Sequence, residues 1–212
     1  MIAIIDYGVG NLFSLSSSLR AVGAEVVVTD DREILKKADR LILPGVGAFA
    51  DAAAKLRADG LDSFVREQAA SGKPLLGICL GMQLLFEKSY EFGEHQGLGL
   101  IPGEIVPMQG TIPADLKIPQ IGWNSIRFDQ DNPFLKGLRQ DSFFYFVHSY
   151  YALPDDPSVT AARCTYMIDF AAALSKGNVF AAQFHPEKSQ DCGLAILRNF
   201  VTICGKDVSG TC

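Results

Sequence analysis

Short, uninterrupted apolar runs alternate with longer amphipathic runs throughout the first half of the chain. The apolar runs have the length of buried strands and cover Ile2–Ile5, residues 25–28, Arg40–Leu43 and residues 74–78. The amphipathic runs predict helices over residues 12–22, residues 49–57, Leu61–Ala70 and residues 80–88. Because a strand buried on both faces has a continuous apolar sequence, this alternation predicts a parallel sheet covered by helices on both faces.

The second half contains more short strand-like runs separated by turns, a pattern typical of antiparallel hairpins. It predicts strands at residues 104–108, 121–128, 143–147, 159–164, 171–174 and 179–183, and a last helix at residues 192–203. No Ser/Gly linker, repeat or low-complexity stretch divides the two halves. The sequence therefore predicts one α/β domain over residues 1–212, with a mixed, mainly parallel central sheet. Ligands of open α/β sheets bind where the strands end, so the residues after each strand are the site candidates.

The net charge and the number and spacing of the cysteines exclude several classes of function and indicate the cellular compartment. A net charge of −5 gives no basic surface of the kind that nucleic-acid partners require. The N-terminus lacks the basic region of a signal peptide, and no apolar run approaches the ~18 residues of a membrane span. Five scattered cysteines without CxxC spacing argue against a disulfide framework or a zinc site. We therefore expect a cytoplasmic protein without a nucleic-acid or membrane partner.

Cys79 lies between two glycines, in Gly77-Ile78-Cys79-Leu80-Gly81, directly after the apolar run of residues 74–78. A nucleophile on a tight strand-to-helix turn needs small neighbours, because larger side chains would clash there. Such a turn also aims the sulfur at the N-terminus of a helix, whose free N–H groups favour a thiolate. The alternative is a buried structural cysteine.

A thiol nucleophile needs a base, and His185 in Phe184-His185-Pro186-Glu187 follows another predicted strand. Glu187, two residues further on, is placed to orient the imidazole and to stabilise its protonated form. The alternative for His185 is a surface or capping residue. His148 also follows a strand but has no carboxylate close in sequence, which favours a substrate-contacting or structural role. His95 lies in a polar stretch that predicts an exposed loop.

Two glycine-containing turns follow other strands. Acyl transfer needs N–H donors for the oxyanion, and the candidates are the main-chain N–H groups of Val46, in Leu43-Pro44-Gly45-Val46-Gly47, and of Leu80. The alternative is that Pro44-Gly45 simply ends a strand. The turn Gly8-Val9-Gly10 matches only part of a dinucleotide-binding motif, because Phe13 stands where the third glycine belongs.

The motifs around Cys79 and His185, with Asp6-Tyr-Gly-Val-Gly-Asn11, Leu43-Pro-Gly-Val-Gly47 and Pro119-Gln-Ile-Gly-Trp-Asn124, resemble the class I (triad) glutamine amidotransferases. Among these, the chain is most similar to the glutaminase subunits of imidazole glycerol phosphate synthases, and the resemblance runs essentially end to end. It implies a flavodoxin-like fold and hydrolysis of glutamine to glutamate and ammonia by Cys79, His185 and Glu187, with no cofactor. It also implies a glutamine pocket lined by Gly47, Gln83 and Glu91 and by the backbone of His148, Ser149 and Tyr150.

The same resemblance implies a partner. In this family the ammonia passes through an internal channel to a cyclase subunit with a (βα)₈ barrel, which makes imidazole glycerol phosphate and aminoimidazole carboxamide ribotide. Nothing in the chain resembles a site for the cyclase substrate, so a second polypeptide is expected. Trp123 and Lys188 are the candidates for the interface, since exposed Trp residues are frequent anchors; a Trp buried in the core is the alternative.

Three other functions remain as alternatives on the sequence. Another glutaminase of the superfamily would differ at Pro44-Gly45-Val46-Gly47 and at Trp123. A cysteine peptidase or deglycase-like hydrolase would usually lack a carboxylate two residues after the histidine. A catalytically inactive scaffold subunit would not be expected to keep Cys79, His185 and Glu187 together.

Overall fold

The computed structural model describes residues 1–111, 117–128 and 131–203. Its strands are β1 (Ile2–Ile5), β2 (Val26–Thr29), β3 (Arg40–Leu43), β4 (Leu75–Ile78), β5 (Phe86–Ser89), β6 (His95–Gln96), β7 (Ile101–Pro107), β8 (Gln120–Arg127), β9 (Phe143–His148), β10 (Tyr150–Pro154), β11 (Thr160–Tyr166), β12 (Ile168–Lys176) and β13 (Val179–Ala182). Its helices are α1 (Leu12–Ala21), α2 (Arg32–Lys37), α3 (Phe49–Ala58), α4 (Leu61–Ala70), α5 (Leu80–Leu84) and α6 (Gln190–Thr202). Short 3₁₀ turns lie at Pro133–Leu135, Pro157–Val159 and Pro186–Lys188.

Within the described residues, a central sheet of nine strands has the order β2-β1-β3-β4-β13-β12-β11-β8-β9. The five strands from β2 to β13 run parallel, and the remaining strands pair antiparallel. The predicted mixed, mainly parallel sheet is therefore confirmed, and its antiparallel part comes from the second half of the sequence as expected. The strand β13 joins the two parts, because it pairs parallel with β4 and antiparallel with β12.

Both faces of the parallel strands are buried. In β1, Ala3 and Ile5 pack on one side with α3 and α4, whereas Ile2 and Ile4 pack on the other side with α1 and α6. This division explains the continuous apolar runs, since successive side chains of a strand point to opposite faces. Helices on both faces of the sheet are thus confirmed.

Local signals set several helix ends. Asn11 caps α1, because its side chain accepts a hydrogen bond from the N–H of Ser14. Asp31 caps α2 in the same way, and α2 was not predicted. Gly60 separates α3 from α4 in a left-handed conformation (φ 62°) that glycine adopts without strain. No helix in residues 1–111, 117–128 or 131–203 is long and apolar enough to span a membrane.

The prediction of one helix over residues 80–88 was wrong. The helix α5 ends at Leu84, and the chain continues as β5, which pairs with β6 and β7. Together with β10 these strands form a second, four-stranded sheet in the described part of the chain, on the same side as α3 and α4. Strand pairing and burial of Phe86 override a local apolar pattern that suits a helix equally well.

The second sheet also changes three smaller expectations. The predicted strand at residues 104–108 belongs to this sheet, as part of β7, and not to the central one. His95 lies in the short strand β6 and is partly buried, whereas an exposed loop was predicted. The strand β10 was not predicted, and it begins at Tyr150, one residue beyond Ser149, which follows the end of β9.

Candidate active site

Cys79 occupies the turn between β4 and α5, with a backbone conformation (φ 54°, ψ −111°) that L-amino acids rarely adopt. The flanking glycines make this turn possible. A Cβ atom at Gly77 would lie 2.8 Å from the carbonyl oxygen of Gly81, and one at Gly81 would overlap the carbonyl oxygen of Leu43. Strain of this kind at a reactive side chain is characteristic of nucleophile turns.

His185 follows β13, the strand next to β4, so both side chains lie at the same edge of the parallel sheet. Its Nδ1 atom lies 2.8 Å from Oε1 of Glu187, and both side chains are almost completely buried. Ser189 holds this segment, because its hydroxyl donates to the carbonyl oxygen of His185 and accepts from the N–H of Tyr145. The base candidate and its carboxylate are therefore fixed relative to each other.

The protonation of His185 follows from its neighbours. Burial by itself lowers the pKa of this imidazole, but interactions with the side chains of Cys79 and Glu187 outweigh burial and raise the pKa to about 10. The Nε2 atom of His185 is buried and has no hydrogen-bond partner among the described residues. A proton transferred from the Cys79 thiol to this atom is held on the ring, because the raised pKa favours the imidazolium.

His148, the competing histidine, lies in a different environment. Its ring is buried against Phe146 and Phe170, and its Nδ1 atom lies 2.8 Å from the carbonyl oxygen of Tyr150. Burial lowers the pKa of His148 to about 4, so the ring is neutral at pH 7. Its partner is a carbonyl, and no carboxylate of the described residues pairs with the ring to stabilise an imidazolium, so His148 is poorly suited to act as the base.

A cavity of about 380 Å³ opens beside the Cys79 sulfur. Nearly all of the residues singled out in the sequence line it: Val46, Gly47, Cys79, Leu80, Gln83, Glu91, His148, Ser149, Tyr150, His185 and Lys188. Pro119 and Val147 complete the lining. Glu187 lies behind His185 and does not line the cavity, and Trp123 lies outside it.

The loop after β3 forms one wall of this cavity. Gly47 has a left-handed φ of 88°, and the Val46 side chain is partly exposed. Gly45 packs against the start of α5, since a Cβ atom there would lie 2.8 Å from the nitrogen of Gly81. The buried Tyr7 hydroxyl donates to the carbonyl oxygen of Pro44 and ties the loop to the end of β1. The loop is thus packed against the turn that carries Cys79.

The polar end of the cavity carries Glu91. Its carboxylate accepts a hydrogen bond from the N–H of Phe49 at the start of α3. The side chain is half-buried, and burial raises its pKa above the usual value. An acidic group in this position suits a ligand with an ammonium group. The described residues contain no cluster of three or more His, Cys, Asp or Glu side chains able to hold a metal ion.

Gln183 is a site residue that the sequence analysis missed. It is completely buried, and its side-chain nitrogen lies 3.8 Å from the Cys79 sulfur. Its position two residues before His185, at the end of the same strand, was the available signal. Because side chains at spacing two share a face of a strand, a polar residue there faces the same site.

Trp123 lies outside the cavity on β8, in the antiparallel part of the sheet, and Lys188 lines the cavity from the 3₁₀ turn that follows His185. Trp123 packs edge-on against Tyr145, and the Lys188 ammonium lies 5.7 Å from the centre of the same ring. Trp123 is 44% exposed, and Ile121 and Phe143 on the same two strands are more exposed still. Trp123 is therefore not a core residue, and it lies in an exposed apolar patch of the sheet.

The family model described as "Glutamine amidotransferase class-I" matches residues 3–204. The chain belongs to the class-I glutamine amidotransferase family. The chain is 51% identical over 198 residues to the imidazole glycerol phosphate synthase subunit HisH of Aquifex aeolicus, covering 93% of this chain and 94% of that protein. It is 50% identical over 203 residues to HisH of Syntrophotalea carbinolica, covering 94% and 98%.

Solved structures confirm the class-I glutamine amidotransferase fold. The chain of a "Crystal structure of glutamine amidotransferase" superposes with a TM-score of 0.73 at 20% identity, covering 95% of this chain and 100% of that one. A chain of PurLQS from Thermotoga maritima superposes with a TM-score of 0.71 at 20% identity, covering 94% and 96%.

Proposed function

We propose that this chain hydrolyses glutamine to glutamate and ammonia, as the glutaminase subunit of a cytoplasmic imidazole glycerol phosphate synthase. The observation that carries the proposal is the position of Cys79, on a strained turn beside the buried His185–Glu187 pair and at the mouth of one cavity. The HisH relatives, about half identical over nearly the whole chain, support the synthase to which it would belong. Both halves of the sheet line the cavity, which supports a single glutaminase domain over residues 1–212.

The reaction begins with transfer of the Cys79 proton to Nε2 of His185. The sulfur attacks the side-chain amide carbon of glutamine, and the resulting oxyanion is held by main-chain N–H groups of Leu80 and Val46. His185 then gives its proton to the leaving nitrogen, so that ammonia departs and a glutamyl thioester remains. Water, deprotonated by His185, hydrolyses the thioester to glutamate and restores the thiol. Glu187 orients His185 and stabilises its protonated form throughout.

The cavity supplies the groups that glutamine requires. Glu91 lies where it can bind the α-ammonium group, and Gln83 and Gly47 border the space for the side chain. The main chain of His148, Ser149 and Tyr150 closes the opposite wall. Its volume of about 380 Å³ suits a small amino acid.

We place the cyclase interface on the apolar patch around Trp123. Exposed apolar residues of β8 and β9 continue to the strand ends that line the cavity, so a partner bound there would cover the exit for ammonia. Trp123 is the proposed anchor, and Lys188 at the cavity rim is the proposed charged contact. The partner would be a (βα)₈-barrel cyclase that uses ammonia before it becomes ammonium in water.

The electrophilic glutamine analogue 6-diazo-5-oxonorleucine is expected to label Cys79 alone. Its glutamine-like part directs it to the cavity, and Cys79 is the cavity cysteine. Burial raises the pKa of Cys164 to about 12, which keeps that thiol protonated and unreactive at neutral pH. Cys192 lies outside the cavity, and Cys204 and Cys212 lie outside the described residues. Peptide mass mapping identifies the adduct, and an adduct mainly on another cysteine would contradict the assignment.

The isolated chain is expected to be a poor glutaminase that a ligand-loaded cyclase activates about 10²–10³-fold, mainly in kcat. Gly45 and Gly47 flank Val46, and glycine neighbours make rotation of a peptide unit inexpensive. A Val46 N–H turned inward only in the complex would add an oxyanion donor used in the transition state. Steady-state glutamate release, measured with and without the partner and its ligand, provides the comparison. Turnover of the lone subunit within a few-fold of the complex would indicate a preformed oxyanion hole, without affecting the triad.

A further inference from the structure

Two buried glutamines connect the wall of the cavity to the Cys79 sulfur. The side-chain nitrogen of Gln83 donates to the carbonyl oxygen of Tyr150 and to Oε1 of Gln183, both at 3.1 Å. The side-chain nitrogen of Gln183 then lies 3.8 Å from Sγ of Cys79, close enough to donate to sulfur. Gln83 and Gln183 are separated in sequence but meet because β13 lies beside β4.

The direction of this chain of hydrogen bonds is fixed by its first member. A main-chain carbonyl only accepts, so the amide nitrogen of Gln83 must face Tyr150. The second hydrogen of that nitrogen then requires an acceptor, which is Oε1 of Gln183. If the Gln183 amide were reversed, two NH₂ groups would face each other in a buried site and one bond would be lost. Gln183 therefore presents an N–H group, and not an oxygen, to the sulfur.

An N–H donor directed at sulfur favours the thiolate over the thiol. Before the proton moves, the Cys79 thiol has a second neighbour, the carbonyl oxygen of Val147 at 3.9 Å. The thiol S–H group can donate a hydrogen bond to this oxygen. Once the proton has moved to His185, that carbonyl has nothing to accept, whereas the Gln183 N–H still donates to the negative sulfur. Charge-assisted hydrogen bonds are stronger than neutral ones, so the contact strengthens as the nucleophile forms.

We propose that Gln183 is a further catalytic residue, whose side-chain N–H stabilises the Cys79 thiolate before attack and again when the sulfur leaves the thioester. The proposal rests on Cys79 being the nucleophile of the proposed glutaminase reaction. It assigns Gln83 a second task besides lining the glutamine pocket, since the amide of Gln83 holds Gln183 in the donating orientation. No bond to Gln183 forms or breaks.

The variants Gln183→Met and Gln183→Leu test the proposal. Both have about the volume of glutamine and no donor, and they differ in shape, so an effect that they share follows from the lost N–H group. The readout is the second-order rate of Cys79 alkylation by iodoacetamide at pH 7.5, followed by peptide mass mapping on the full-length chain. This small reagent reports thiolate reactivity without using the glutamine pocket. We expect both variants to react roughly 10- to 100-fold more slowly than the original chain, the factor that loss of a hydrogen bond to a charged group implies.

The control is Gln68→Met, which replaces another buried glutamine, on α4 and outside the cavity. Its Cys79 should react at the original rate. Partial unfolding would expose the buried Cys164, so alkylation of Cys164 in the same peptide map distinguishes unfolding from the local loss of a donor. Alkylation of both Gln183 variants within twofold of the original rate, or faster, would overturn the role of Gln183. Failure of Cys79 to react in the unmodified chain would instead overturn Cys79 as the nucleophile.

Discussion

The variant Cys79→Ala is expected to lower glutamine-dependent synthesis by the complex about 10⁴-fold or more, because no other group replaces the nucleophile. Synthesis from added ammonium salts should stay close to the original rate, since the cyclase then receives ammonia without amide cleavage. The two activities are measured side by side on the same complex. The split between them separates loss of the nucleophile from loss of the fold or of the partner.

Cys164→Ala is the matched control for this variant. It removes the same thiol from a buried position on β11, away from the cavity. It should leave both activities nearly unchanged. If Cys79→Ala kept glutamine-driven turnover within tenfold of the original complex, equivalent to under ~1.4 kcal/mol of barrier, another residue would be the nucleophile.

The variant Glu187→Gln is expected to lower kcat for glutamate release by about 10²–10⁴-fold, with a smaller effect on KM. The amide keeps the shape of the carboxylate, but it removes the negative charge 2.8 Å from Nδ1 of His185. An amide NH₂ facing Nδ1 would also favour the wrong tautomer, which leaves Nε2 protonated and unable to accept the thiol proton. The loss should therefore appear mainly in the chemical step.

A second measurement on Glu187→Gln reports the charge directly. The pKa of His185, raised to about 10 in part by Glu187, should fall in the variant, as followed by NMR titration of the imidazole. The control is Glu67→Gln, at an exposed position on α4. It should change neither kcat for glutamate release nor the pKa of His185. Activity within threefold of the original chain would show that Glu187 does not support His185.

Local sequence predicted most of the parallel half of the sheet, because its strands are buried on both faces and carry continuous apolar runs. The same criterion failed at residues 80–88. Leu80, Met82, Leu84, Leu85 and Phe86 form an apolar run that suits a helix or a buried strand, and pairing with β7 decided where one ended and the other began. The strand β10 was missed because it depends on pairing with β7, a partner distant in sequence.

The candidate site was predicted unevenly for a similar reason. Cys79 and the His185–Glu187 pair are marked by neighbours in sequence, the glycines in one case and a spacing of two residues in the other. Gln183 carries no such mark, because its contact with Cys79 spans 104 positions along the chain. The sequence already favoured His185 over His148 as the base, and the structure adds the physical reason, since the pKa of His148 is lowered and that of His185 is raised.

The sequence by itself determined the chemistry that the chain can offer: a cysteine on a turn that only glycines can flank, and a histidine with its own carboxylate two residues away. It also determined those strands and helices that have a regular spacing of apolar residues along the sequence. The tertiary structure alone decided that β13 lies beside β4, which brings that cysteine and histidine to one cavity. It also decided which buried amide points its N–H at the sulfur. The physical reason is that strand order, burial and hydrogen-bond direction depend on contacts between segments that are distant in sequence. Such contacts produce no regular pattern in neighbouring residues from which they could be predicted.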